Sequence, residues 1–143
     1  MKKNRTYGLI GKNIDYSFSQ KYFSQKFENE NLNYTYSNFD IKNLSQIESI
    51  LQNDRISGFN VTIPYKENII NFLDEIDEVA TAIGAVNTIK KINNKNIGYN
   101  TDCIGFEKSL LSLINKKKLE NVLILGSGGA SKAIKYVLKN LKI

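Results

Sequence analysis

Short β-branched or apolar runs alternate along this chain with stretches in which apolar residues recur every three or four positions. Runs at 6–11, 33–39 and 56–63 are typical of strands, and the spacing between them favours helices over 20–31 and 44–51. Strands that are separated by helices pair in parallel within one sheet. The sequence therefore predicts an α/β fold of three layers, in which a mostly parallel sheet lies between helices.

A hairpin interrupts this pattern in the second half of the chain. The runs 85–89 and 95–99 flank Asn93 and Asn94, and asparagine favours the tight turn of a β-hairpin. We therefore expect one antiparallel strand in the otherwise parallel sheet. Apolar spacing predicts a further helix over 106–114.

Pro64 marks the end of the third predicted strand, since proline stops a strand ladder but suits the first turn of a helix. Apolar residues at helical spacing continue beyond it and predict one long helix: Ile69, Leu73, Ile76, Ala80 and Ile83. Lys66 would then lie in the first helical turn, where the helix dipole disfavours a cation by a few tenths of a kcal/mol. A lysine in that place calls for a functional explanation.

Composition limits the chemistry that the chain can perform. It has no histidine and one cysteine, Cys103. A zinc site, a Ser-His or Cys-His pair and an intrachain disulfide are therefore excluded, and we expect no metal. Acid–base chemistry is left to lysine, aspartate, glutamate and tyrosine. No apolar run of 18 residues and no signal-peptide pattern occur, so we expect a cytoplasmic protein without a membrane span.

The net charge of +6 raises the question of nucleic-acid binding. Of the 20 basic residues 18 are lysine, whereas base recognition relies mainly on arginine. The lysines are scattered apart from the triplet 116–118, which is typical of a solvated helix end. We expect no nucleic-acid partner; the alternative, a basic nucleic-acid-binding domain, predicts salt-dependent binding to DNA or RNA.

The apolar run 121–125 predicts a buried strand, and a helix with apolar spacing follows. Between them lies a glycine-rich loop made of Gly126, Ser127, Gly128, Gly129, Ala130 and Ser131. Such a loop holds phosphate groups at the helix N-terminus, although it can also be only a tight turn. A doubly wound nucleotide-binding domain needs several more strands. We therefore expect a fragment, with one domain over 1–103 and, over 104–143, a linker helix and the first βα unit of a Rossmann-type domain.

Polar residues follow the ends of several predicted strands, where ligands of open α/β sheets bind. Lys66 is the best candidate for a proton donor, and Asp102 could orient it through an ion pair. Each also has a structural explanation, because Lys66 taken alone would be a solvated surface lysine and Asp102 could cap a helix. The other candidates suit ligand contacts or else turns and internal hydrogen bonds: Ser17, Ser19, Asn60, Thr62 and Asn87.

Six motifs of this chain resemble those of the shikimate dehydrogenase family in order and spacing. They lie at 7–11, 17–19, 60–67, 84–88, 100–102 and 126–131. The resemblance covers essentially the whole chain, as a substrate domain followed by the first βα unit of an NADP domain. It implies the reversible reduction of 3-dehydroshikimate to shikimate with NADPH, in chorismate and aromatic amino-acid biosynthesis.

The resemblance also implies roles for individual residues. Lys66 and Asp102 would be catalytic, and Ser17 and Ser19 would bind the substrate carboxylate. The substrate hydroxyls would be bound by Asn60, Thr62, Asn87 and Asp102, and NADP by the loop from Gly126 to Ser131 together with Glu78. Two alternatives stay open: a module that binds shikimate without turnover, and a quinate/shikimate dehydrogenase. A homodimer is open as well.

Overall fold

The structure, a computed structural model, describes residues 4–114 and 121–143, and a six-stranded sheet lies at its centre. The strands are β1 (Arg5–Gly11), β2 (Tyr34–Asp40), β3 (Ile56–Val61), β4 (Glu75–Ile76), β5 (Thr88–Ile92) and β6 (Lys95–Tyr99). They are hydrogen-bonded in the order β2-β1-β3-β5-β6-β4. β5 is antiparallel to both of its neighbours, and the other pairs of this sheet are parallel. The predicted mixed sheet is therefore confirmed.

Helices pack on both faces of the sheet. They are α1 (Ser19–Asn29), α2 (Ile47–Leu51), α3 (Glu78–Ile83), α4 (Asp102–Ile114) and α5 (Gly129–Asn140), with 3₁₀ turns at Leu44–Gln46 and Asn68–Phe72. Successive residues of a strand point to opposite faces. Leu9 accordingly belongs to the apolar cluster that contains Phe27 of α1, whereas Ile10 belongs to the cluster that contains Leu51 of α2. The sheet thus forms the middle layer of three.

The hairpin between β5 and β6 turns at Asn93 and Asn94, as predicted. Their φ angles are 49° and 63°, which lie in the left-handed region. Asparagine enters this region more readily than most residues with a side chain. The asparagine pair therefore sets the turn, and with it the pairing of Thr88 with Tyr99 at the open end of the hairpin.

The prediction of one long helix beyond Pro64 is wrong. The segment is divided instead into the 3₁₀ turn Asn68–Phe72, the short strand β4 and the helix α3. The apolar spacing is genuine, because Ile69 and Ala80 are both fully buried in one cluster, but it spans three separate elements. Lys66 consequently lies in a turn ahead of the 3₁₀ segment and not in the first turn of a helix.

Two aspartates make this division. Asp74 Oδ2 accepts a hydrogen bond from Asn96 N at 2.7 Å, which draws the chain out to pair with β6. Asp77 Oδ2 accepts from Val79 N at 3.0 Å and is the N-cap of α3. Since an N-cap residue has non-helical backbone angles, a continuous helix cannot pass through Asp77.

The segment 121–125 does not form the buried strand that its sequence predicts. None of the described strands pairs with it, and Leu123 and Leu125 are 83% and 86% exposed. An isolated strand has no partners for its backbone groups and is not stable by itself. The predicted helix that follows is confirmed as α5. The lysine triplet 116–118 lies outside the described residues.

α5 packs against the part of the molecule that precedes it. Ala133 and Val137 of this helix form a buried cluster with Ile83, Ala85 and Cys103. Burial raises the pKa of the Cys103 thiol, so this residue remains a neutral packing group. Among the helices of the described segments, none has the length and apolar character needed to cross a bilayer.

Candidate functional site

The candidate site lies where β1 and β3 end side by side. Thr62 N donates to Ile10 O at 2.9 Å, and Lys12 N donates to Ile63 O at 3.2 Å, so the two loops that leave these strands are joined. Gly11 permits this approach, because a Cβ at that position would lie 2.6 Å from Thr62 Cγ2. Thr62 thus lies directly beyond the end of β3, beside the end of β1.

Lys66 is held in its turn by anchored neighbours. Tyr65 is buried, and its hydroxyl donates to Ile41 O at 2.6 Å. The carbonyl of Lys66 accepts a hydrogen bond from Val86 N at 2.7 Å. These two bonds tie the turn to the chain after β2 and to the segment before β5. The position of the lysine is therefore fixed by the backbone as well as by its side chain.

The side chain of Lys66 reaches an acidic partner. Lys66 Nζ lies 2.7 Å from Asp102 Oδ2, and the two side chains are 15% and 33% exposed. The other carboxylate oxygen, Oδ1, accepts from Asn87 Nδ2 at 2.8 Å. Asn87 Nδ2 also donates to Thr101 Oγ1, and Asn87 Oδ1 accepts from Thr101 N at 2.7 Å. A continuous polar series thus connects a largely buried ammonium to a carboxylate and an amide.

Asp102 does not act as the helix cap that its sequence position allowed. It is the first residue of α4, and the side chain that accepts from the helix start is that of Asn100, whose Oδ1 bonds Cys103 N at 3.2 Å. Asn100 Nδ2 in turn donates to Ala85 O at 2.9 Å. The Asp102 carboxylate is therefore available for Lys66, and its place in a first turn suits its negative charge.

Asn60 lies at the end of β3 on the face of the sheet covered by α1. Its Oδ1 accepts a hydrogen bond from the Tyr36 hydroxyl at 2.8 Å. Its register partners are Leu9 on β1 and Thr88 on β5. Thr88 Oγ1 donates to Asn87 Oδ1 at 3.1 Å. Asn60 is therefore paired in the sheet with a residue that bonds the polar series around Asp102.

The loop between β1 and α1 places Ser17 and Ser19 beside each other. Asp40 holds the beginning of this loop, because its carboxylate accepts from Asn13 N at 2.9 Å and from Ile14 N at 3.0 Å. Ser17 Oγ donates to Ser19 Oγ at 3.2 Å and accepts from Ser19 N at 3.3 Å. Two adjacent hydroxyls at the start of a helix suit a turn and also suit a bound carboxylate.

The glycine loop meets Lys66 directly. A Cβ at Gly129, the first residue of α5, would lie 2.8 Å from Lys66 Cβ and 3.2 Å from Ala85 Cβ. Gly126 has a φ of 118°, which residues with side chains rarely adopt, while a Cβ on Gly128 would meet nothing within 4 Å. The loop therefore combines a turn that favours glycine, an open approach at Gly128 and a close contact with the lysine turn.

An ion pair forms a second link between α5 and the lysine turn. Glu67, which follows Lys66, pairs through Oε2 with Lys132 Nζ of the first turn of α5. Glu78 has no comparable link. It is exposed in the first turn of α3, and among the described residues nothing connects its side chain to the glycine loop.

The structure thus brings Lys66, Asp102 and Asn87 into one bonded series, with Gly129 against it. The sequence did not single out several residues that complete this arrangement: Tyr36, Glu67, Asn100, Thr101 and Lys132. Asn100 and Thr101 stand next to Asp102 in an Asn-Thr-Asp motif, so their role could have been found locally. Tyr36 and Lys132 carry no such signal, because each reaches a partner that is distant in sequence.

Comparisons with known proteins found similar sequences and similar structures. Residues 9–89 match the family model described as the shikimate dehydrogenase substrate binding domain. The shikimate dehydrogenase (NADP(+)) of Methanococcus maripaludis strain C6 is 49% identical over 142 residues, which cover 95% of this chain and 50% of the relative. The chain spans about half the length of the curated relatives it matches.

Solved structures show the same likeness in three dimensions. A crystal structure of shikimate dehydrogenase in complex with NADP+ superposes with a TM-score of 0.86 at 42% identity, covering 94% of this chain and 48% of that one. Shikimate 5-dehydrogenase from Thermus thermophilus, in complex with NADP(H) and shikimate, superposes with a TM-score of 0.84 at 28% identity, covering 96% of this chain and 52% of that one.

Proposed function

Because this chain belongs to the family of shikimate dehydrogenase substrate binding domains, we propose that it supplies the substrate side of an NADP-dependent shikimate dehydrogenase. This activity is the reversible reduction of 3-dehydroshikimate to shikimate. The observation that carries the proposal is the bonded series from Lys66 through Asp102 to Asn87, placed against Gly129. In the same proposal, residues 1–103 are the substrate-binding domain and residues 104–143 are a linker helix and the start of the NADP-binding domain.

The polar groups of the site suit a carboxylate that carries several hydroxyls. The adjacent hydroxyls of Ser17 and Ser19 take the substrate carboxylate. The hydroxyls are bound by Asn60, Thr62 and Asp102, which lie along one edge of the sheet. Both N–H groups of Asn87 are already donated to Thr101 and Asp102, so on binding Asn87 exchanges one of these bonds for a substrate hydroxyl.

Lys66 gives and takes the proton of the reaction. A ketone oxygen that becomes a hydroxyl needs a proton donor within about 3 Å. The chain has no histidine to supply this proton, whereas the Lys66 ammonium carries N–H donors. Asp102 holds the ammonium in one place through Oδ2. In the direction of oxidation the same nitrogen accepts the proton of the hydroxyl. Asp102 thereby orients Lys66 and lies within reach of the same hydroxyl.

The glycine loop fits the pyrophosphate of NADP. It stands at the N-terminus of α5, a helix of 12 residues, where backbone N–H groups face outward. The open approach at Gly128 leaves room for the phosphates, and the residues that would hold them run from Gly126 to Ser131. When bound, NADPH supplies the hydride. Glu78 stays a candidate for a contact near the nicotinamide.

Calorimetry on this chain tests the proposal. We expect shikimate to release or absorb heat on binding, and the heat to be lost in a double variant, Ser17→Ala and Ser19→Ala. Ser109→Ala and Ser112→Ala, in α4, serve as the matched control and should bind normally. No binding of shikimate to the folded chain would contradict the proposal.

A second candidate is a module that binds shikimate without turnover. The exposed segment 121–125, which pairs with no strand of the described residues, favours it, because a cofactor domain needs this segment as a strand within a sheet. Shikimate binding without NADPH binding and without NADP+ reduction at 340 nm would support the module, whereas turnover by this chain would exclude it. A titration with quinate in the same cell tests whether the site also accepts that acid. A cytoplasmic location and a homodimer stay predictions.

A further inference from the structure

The hydrogen bond between Tyr36 and Asn60 determines how the Asn60 amide is turned. Tyr36 lies on β2 and Asn60 on β3, on either side of β1. Neighbouring strands are about 4.8 Å apart, so these two backbones are separated by about 10 Å. A side chain as long as tyrosine is needed to cross that distance, and its hydroxyl reaches Asn60 Oδ1 at 2.8 Å.

The Tyr36 ring is held firmly enough to act as a fixed donor. It is 5% exposed and stacks on Phe23 of α1, with ring centroids 4.6 Å apart and planes 12° apart. It also belongs to the apolar cluster of Leu9, Ile14 and Phe27. Burial raises the pKa of the Tyr36 phenol well above its usual value, so the group keeps its proton. A phenol that keeps its proton can donate to an amide oxygen.

An asparagine side chain has one acceptor end and one donor end. Since Oδ1 of Asn60 is bonded to Tyr36, Nδ2 lies on the side of the amide that faces away from Tyr36. Among the described residues, no hydrogen bond from Asn60 Nδ2 to another side chain is formed. Asn60 is partly exposed, and Nδ2 is not among the buried side-chain atoms that lack a partner in the described part of the chain, so this donor end is open to solvent.

We propose that Tyr36 is a positioning residue of the site, which makes Asn60 a hydrogen-bond donor to a hydroxyl oxygen of the bound polyol acid. This inference rests on the proposed function, because it assigns the substrate contact of Asn60 a direction. It adds a residue that touches no substrate and acts only through Asn60. Tyr36→Phe removes the bond and keeps the ring, its stacking and its burial.

The test measures shikimate binding to this chain by calorimetry for wild type, Tyr36→Phe, Asn60→Ala and the double variant. We expect Tyr36→Phe to weaken binding about tenfold, which corresponds to about 1.4 kcal/mol and lies within the range for the loss of one hydrogen bond. In the Asn60→Ala background the same substitution should change binding less than about twofold, because Tyr36 then has nothing to orient. Tyr34→Phe on the same strand is the matched control and should bind as wild type does.

A second variant tests the direction of the bond without altering Tyr36. Asn60→Asp keeps an acceptor for the Tyr36 hydroxyl and removes the amide donor. We expect it to lose as much affinity as Asn60→Ala does. If Asn60→Asp binds shikimate as tightly as wild type, the donor role of Asn60 is overturned. Should Tyr36→Phe fail to fold, this variant still tests the donor role of Asn60, without which Tyr36 has no role to play in the site.

The outcomes separate this inference from the proposed function. A folded wild-type chain that does not bind shikimate overturns the proposed function, and the substrate contact of Asn60 falls with it. Binding by the wild type with additive effects of Tyr36→Phe and Asn60→Ala overturns only the role of Tyr36, which would then be a packing residue. Non-additive effects support the assignment of Tyr36.

Discussion

Lys66 is restrained at both ends of its side chain. Its carbonyl accepts from Val86 N, its Cβ lies against Gly129, and its ammonium lies 2.7 Å from Asp102 Oδ2. A free lysine would lose up to about 2 kcal/mol of side-chain entropy when it is ordered for catalysis. Here that ordering precedes the arrival of substrate. Under the proposed function, these contacts hold the Lys66 ammonium at a defined position before it transfers a proton.

This restraint predicts how a substitution of Lys66 acts. In a dehydrogenase that contains this chain and a complete cofactor domain, we expect Lys66→Ala to lower kcat by about 10²–10⁴-fold, the usual contribution of a general acid, with a modest change in KM. Steady-state kinetics at 340 nm measure both constants. Lys135→Ala, an exposed lysine of α5, is the control and should leave them unchanged. Near-normal turnover by Lys66→Ala would show that another group moves the proton.

At the scale of elements, α5 is joined to the lysine turn by contacts as well as by charge. Gly129 touches Lys66, and Lys132 pairs with Glu67. The ion pair lies near the surface, and such pairs contribute about 0–1 kcal/mol. The close contact at Gly129 is the stronger restraint, because backbone and Cβ atoms cannot move aside as a flexible side chain can.

The contact predicts that Gly129→Ala destabilises this chain. Alanine is favoured over glycine by about 1 kcal/mol in a helix, so propensity alone predicts the opposite. A new Cβ at 2.8 Å from Lys66 Cβ forces a shift instead, and overpacking of this kind costs about 1–3 kcal/mol. Thermal unfolding followed by circular dichroism should show a lower Tm.

Gly105→Ala is the matched control for this prediction. Gly105 lies in α4, and a Cβ there would meet nothing within 4 Å. We expect it to raise the stability by up to about 1 kcal/mol. If both variants raise Tm equally, the contact between Gly129 and Lys66 does not exist in solution.

Sequence patterns predicted the elements in which local spacing decides the structure, such as the hairpin at Asn93 and Asn94. They failed between Pro64 and Ile83, since buried residues of a 3₁₀ turn, a two-residue strand and a short helix together imitate helical spacing. Asp77 was the signal against one helix, because aspartate is a preferred N-cap. Apolar spacing indicates which residues are buried, and residues such as the N-cap Asp77 indicate where a buried run is divided into elements.

The site was predictable to the extent that its residues stand in short motifs. Lys66, Asn87 and Asp102 each belong to one, and the structure joins them. Tyr36 and Asn60 are 24 positions apart, and Glu67 and Lys132 are 65 positions apart. No local pattern links such pairs, because their contact depends on strand order and on the docking of α5.

At the scale of the whole molecule, two parts of the chain differ in how their backbone is hydrogen-bonded. The strands of the sheet bond to one another, whereas the apolar segment 121–125 has no strand partner among the described residues. β1 is an interior strand, with β2 on one side and β3 on the other, and Ile10 within it is fully buried. The segment 121–125 carries Val122, Leu123 and Leu125 in exposed positions. Exposed apolar residues in succession are typical of a surface that another element covers.

Amide hydrogen exchange distinguishes these two parts. We expect the amides of 122–125 to exchange at nearly the rates of an unfolded peptide, because no described strand accepts from them. The amides of β1 should exchange only through global unfolding, at least about 10³-fold more slowly.

Leu123→Ser combined with Leu125→Ser should leave Tm unchanged, whereas Ile10→Ala should lower it through a loss of about 2–5 kcal/mol. Protection of 122–125 equal to that of β1 would mean that this segment pairs with a sheet in solution, and a fall in Tm for the double serine variant would lead to the same conclusion.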